Sequence, residues 1–103
     1  MQISKTHNFK PKKLNLIRAF FRTRPVLKAY LFGSNVRDEA NEQSDIDILV
    51  ELDYSQRIGL GFVQMQMDLE KILGAKVDLV STAGISKYVR STVDSEKQLI
   101  YER

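Results

Sequence analysis

Apolar positions recur with helical spacing from Pro11 to about Arg22, where Leu14, Ile17, Phe20 and Phe21 fall on one face and Pro11 suits a first turn. Pro25 ends that segment, because its ring disfavours helix at Arg24. Val26 to Phe32 then reads as a strand that stops at Gly33-Ser34, and Asp45 to Leu52 reads as a second strand with at least one well-buried face. Helical spacing returns from about Ile58 to Leu73, with Ile58, Phe62, Met65, Leu69 and Ile72 on one stripe and Gly74 closing it. Lys76 to Val80 predicts a third strand, Ile85 to about Glu96 one or two helices, and Leu99 to Glu102 a short final strand. Strands interleaved with helices over 103 residues imply one small α/β domain. It is expected to span 11–103, behind a loose segment, 1–10, that lacks periodicity.

The second strand carries the chemistry. Side chains alternate along a strand, so Asp45 and Asp47 share one face while Ile46, Ile48 and Val50 take the other. Their Cα atoms lie roughly 6.6 Å apart at strand rise. Two ionised carboxylates this close repel and are expensive to desolvate, a cost that metal cations offset. Carboxylates leaning together can hold ions about 3.5 to 4 Å apart, the spacing of two-metal phosphoryl-transfer sites. Hard oxygen donors, no cysteine and a single histidine, His7, point to Mg²⁺ or Mn²⁺ rather than Zn²⁺. His7 precedes the periodic segments and is expected on the surface.

In the third strand Val77 and Leu79 oppose Asp78, so if the two strands are neighbours Asp78 adds a third carboxylate. Asp45 and Asp47 would then hold two ions against a nucleoside triphosphate. Asp78 would hold the ion that activates the attacking hydroxyl, or take its proton. The plainer alternative, ordinary acids at the solvent rim, stays open for Asp78.

Upstream, Gly33 lets the backbone approach a ligand without a Cβ, and Ser34 can cap a helix or donate to a phosphate oxygen. A short helix starting here would offer its N–H groups to an anion, with Arg37 adding a charged donor. The polar stretch from Asp38 to Gln43 connects this turn to the aspartate strand.

Leu31-Phe32-Gly33-Ser34, Arg37, Ser44-Asp45-Ile46-Asp47-Ile48-Leu49-Val50 and Val77-Asp78-Leu79 together resemble the minimal nucleotidyltransferases of the DNA polymerase β superfamily. The likeness runs from about Pro11 to the end and is strongest to small antitoxins encoded beside HEPN-domain ribonuclease toxins. The resemblance implies a mixed, mostly antiparallel sheet with helices packed on one face. It also implies a Mg²⁺-dependent enzyme, with two ions expected, that transfers AMP from ATP to a tyrosine of a HEPN-type toxin and forms a hetero-oligomer with it. By the same mapping Gly33, Ser34 and Arg37 bind the nucleotide, and Asp45, Asp47 and Asp78 are the catalytic metal ligands. One departure is Asp38, where the family often has glycine after the motif arginine.

Charge and composition narrow the field. Residues 1–37 hold nine Lys or Arg and no acid, while 38–103 hold seven bases and thirteen acids. The cationic third is read first as a solvated face, second as a dock for an acidic partner and third as an RNA contact. Aromatics are not interleaved with the bases as a stacking platform for RNA requires. A mean hydropathy of −0.29 is ordinary for a soluble domain, and no apolar run approaches the ~20 residues of a membrane span. The start lacks the apolar core of a signal peptide, and the absence of cysteine fits the cytoplasm. Larger transferases of this superfamily add a helical acceptor-binding domain, for which 103 residues leave no room. Two other functions are carried forward: an antitoxin that works by occlusion alone, and nucleotidyl transfer to RNA or a small molecule.

Overall fold

Leu14, Ile17, Phe20 and Phe21 form the buried face of α1 (Pro11–Arg22) in the computed structural model, which describes residues 11–33, 36 and 45–103. The expected loose segment 1–10, with His7, lies outside the described residues, as do Ser34, Arg37 and the connection 38–43. After α1 come β1 (Val26–Phe32), β2 (Ile46–Leu52), α2 (Gly61–Leu73), β3 (Val77–Ser81), α3 (Lys87–Glu96) and β4 (Gln98–Glu102).

The strands form one sheet in the order β3-β2-β1-β4. β1 pairs antiparallel with both β2 and β4, and β2 pairs parallel with β3. A parallel neighbour needs a crossover, and α2 supplies it. This is the mixed, mostly antiparallel sheet that the resemblance implies. Alternation sends Ala29, Leu31, Ile46, Ile48, Val50, Val77 and Leu79 to one face, where they join α1 and α2 in the main core. The opposite face carries Asp47, Leu49 and Asp78. Leu49 is buried there, and Val93 of the short α3 is buried outside the main core as well.

Sequence and structure differ in detail. α2 begins at Gly61 rather than Ile58, because Gly59 has φ +47°, a left-handed conformation that a right-handed helix cannot contain. Its buried row runs Met65, Leu69, Leu73 in steps of four, so Ile72 turns outward and is 42% exposed. Tyr88 is 86% exposed at the start of α3. Ser86 caps that helix by accepting the Tyr88 N–H at 3.2 Å, which fixes the backbone and leaves the ring outside. Tyr101, by contrast, is buried with its ring 5.9 Å from that of Phe21.

β3 is an edge strand, and α2 covers its outward donors. Glu70 Oε2 accepts the Val77 N–H at 3.0 Å and Gln66 Oε1 accepts that of Leu79 at 3.4 Å. Phe21 is fully buried where α1 meets β4, so Phe21→Ala is expected to cost about 3 to 5 kcal/mol in chemical unfolding. No helix among the described residues is long and apolar enough to cross a membrane.

Asp53, just beyond β2, ties the opposite end of the sheet from Gly33. Its carboxylate accepts from the Ser55 hydroxyl, from Arg103 Nη1 at 2.8 Å and from the Ser55 N–H at 3.1 Å. These hydrogen bonds, the Ser55 hydroxyl foremost, hold the carboxyl well below its usual range. A lowered folded-state pKa contributes stability that is complete above the ordinary value of 3.8 and is lost as pH falls below it. Asp53→Asn should therefore melt below wild type at neutral pH, and the gap should narrow through the acid range below about pH 4.

Candidate active site

Two strands and a turn build the site. β2 and β3 run parallel with Asp47 paired to Asp78, so their Cα atoms are register partners on adjacent strands and their side chains leave the sheet on the same side. Adjacent strands lie about 4.8 Å apart, closer than the spacing of Asp45 and Asp47 along one strand. Asp78 is thus beside Asp47, as the sequence required for it to join the pair. Asp47 is half-buried and Asp78 exposed, which leaves one carboxylate anchored in the sheet and one facing water. Asp45 is exposed and precedes the first residue of β2. Among the described residues no three acidic or histidine side chains close into a ready-made metal cage. The topology thus brings Asp47 and Asp78 together most directly, with Asp45 one step outside the strand.

The end of β1 completes the geometry. Phe32 is the register partner of Asp47, which places Gly33 next to the carboxylate. Gly33 has φ +78°, and a Cβ built on it would clash with Asp47 Oδ2. Glycine is required here twice over: for its left-handed backbone and for the room that the aspartate occupies. The sequence points to a close approach at Gly33 but not to what makes it. The Val36 N–H donates to the Gly33 carbonyl at 3.0 Å, a 3₁₀ turn at the point where a short helix start was expected. Ser34 and Arg37, the other expected nucleotide contacts, lie outside the described residues.

α3 adds a residue that sequence reasoning missed. Glu96, at its last position, accepts the Gly33 N–H at 3.1 Å. Nothing local marks it, since 63 positions separate the two. A cavity of about 240 Å³ opens between α3 and the sheet, lined by Leu49, Thr82, Ile85, Arg90, Asp94 and Lys97. Of its lining, Leu49 lies two residues beyond Asp47 on the same face of the sheet.

Hard carboxylate oxygens held side by side against a backbone turn suit a divalent cation and an anionic ligand at one place. Comparisons with known proteins give the family. A family model described as Polymerase beta, Nucleotidyltransferase matches residues 15–103. Protein adenylyltransferase MntA of Thermococcus cleftensis is 41% identical over 63 residues, 61% of this chain and 63% of that protein. A chain in a crystal structure of a toxin–antitoxin complex with AMP-PNP superposes with a TM-score of 0.75 at 24% identity, covering 87% of this chain and 73% of that one. A chain in the structure of a tri-AMPylated Shewanella oneidensis HEPN toxin with its MNT antitoxin gives 0.67 at 22% identity, covering 89% and 71%. The two structures establish the shared fold, while the family model spans nearly the whole described sheet and both of its aspartate strands. This chain belongs to the polymerase β nucleotidyltransferase family.

Proposed function

We propose that the protein is a cytoplasmic, Mg²⁺-dependent protein adenylyltransferase that moves AMP from ATP onto a tyrosine of a HEPN-type toxin and so neutralises it as an antitoxin partner. The observation that carries this reading is the pairing of Asp47 with Asp78 immediately beside the Gly33 backbone. Family membership supports nucleotidyl transfer. The name of the Thermococcus relative supports a protein acceptor, and the modified toxin in the Shewanella complex supports a HEPN partner.

In this reading Gly33, Ser34 and Arg37 hold the triphosphate, and Asp45, Asp47 and Asp78 would hold Mg²⁺. When bound, Mg²⁺ neutralises charge between the phosphates and the carboxylates and favours the ionised acceptor oxygen. The acceptor hydroxyl attacks the α-phosphorus, the bond from that phosphorus to the bridging oxygen of the β-phosphate breaks, and pyrophosphate leaves. Asp78, on the solvent side, is placed to receive the hydroxyl proton from an acceptor that arrives from outside. Asp47, packed against Gly33, fixes the distance between the carboxylates and the phosphate turn.

Incubation of the purified protein with α-labelled ATP, Mg²⁺ and its cognate HEPN toxin is expected to put label on a toxin tyrosine and to fail with a chelator present. Neutralisation of the toxin without label would favour occlusion. Label on added RNA instead of toxin would favour a polynucleotide acceptor.

A further inference from the structure

Glu96 ends α3, where the aligned peptide dipoles disfavour an anion. Its carboxylate is nevertheless half-buried and takes the Gly33 N–H at 3.1 Å. On its other side Gly33 lies against Asp47, so two carboxylates from distant segments converge on one glycine. The Gly33 N–H that Glu96 holds is donated to a charged acceptor, a stronger hydrogen bond than one between neutral groups. A backbone N–H at a Gly-Ser turn is also the donor that an anionic oxygen seeks.

We propose that Glu96 is an intramolecular competitor for the nucleotide phosphates, holding the Gly33 N–H in the nucleotide-free protein and yielding it when a triphosphate binds. The proposal rests on the nucleotidyl-transfer reading of the Gly33 turn. The exchange needs only a side-chain swing: Gln98, two residues on, is register partner to Leu31 of β1, so the backbone at Glu96 is anchored beside the site. Affinity for ATP is then lowered by the fraction of molecules in which Glu96 occupies the donor. The carboxylate would also repel the phosphates until it moves, so its loss should matter more for ATP than for AMP.

The test is calorimetric titration of Mg·ATP and of AMP into wild type, Glu96→Gln and Glu96→Ala, with melting temperature as the check on folding. Both variants are expected to bind ATP about three- to tenfold more tightly, with a smaller change for AMP. If wild type binds Mg·ATP while both folded variants bind it equally or less well, Glu96 is a supporting contact and the proposal falls alone. If neither wild type nor variants bind Mg·ATP, the proposal falls together with the nucleotide-site reading.

Discussion

Asp47→Asn is expected to lower the rate of AMP transfer about a thousandfold, the consequence of losing roughly 4 kcal/mol of transition-state stabilisation at a metal-ligating carboxylate. The same substitution should leave the protein folded. Asn has nearly the shape of Asp, so the substitution beside Asp78, its register partner, creates no cavity. Rate and stability should therefore move independently. Asp78→Asn should follow the same pattern, and a loss of rate accompanied by unfolding in both variants would mean that the aspartates serve the fold instead. Initial rates with the toxin in excess, read beside thermal melts, separate the two outcomes.

Gly33→Ala is expected to damage both properties at once. A Cβ at this position must adopt φ near +78° and must displace the Asp47 carboxylate that fills its space. The backbone strain alone costs of order 1 to 2 kcal/mol, and the forced shift of Asp47 adds to it. Because a misplacement of about 1 Å at a reacting centre can cost a hundredfold, transfer should fall by about that factor or more even where the protein stays folded. Urea unfolding gives the stability change, and transfer measured well below the melting temperature gives the catalytic one. An alanine variant with full activity would remove Gly33 from the site.

These two positions show how unevenly the molecule can be read from its chain. The strands are legible because Ile46, Ile48 and Val50 alternate with Asp47, Leu49 and Glu51, and because Pro25 and Gly74 punctuate the helices. That Asp45 and Asp47 share a face follows from the same alternation. That Asp78 lies beside Asp47 does not, since strand order and a parallel pairing are properties of the whole sheet and of the α2 crossover. Gly33 is conspicuous as a glycine before a turn, yet the group that needs its missing Cβ comes from a strand that follows a long polar connection. Glu96 is invisible for the same reason in a stronger form: it resembles any acid on a helix surface until β4 pairs with β1 and brings the end of α3 to Gly33. The outward turn of Ile72 reflects a different limit, because the rows i+3 and i+4 are equally helical and only the position of β3 selects Leu73.

The central claim is that a pair of register-matched aspartates beside a glycine turn transfers AMP to a protein acceptor. Intact-mass spectrometry of the cognate HEPN toxin, after incubation with ATP, Mg²⁺ and either wild type or Asp47→Asn, tests it most directly. The account predicts mass increments of whole AMP units on the toxin with wild type and none with the folded variant. Equal increments with both proteins, or an unmodified toxin under conditions where wild type binds ATP and toxin together, would contradict it.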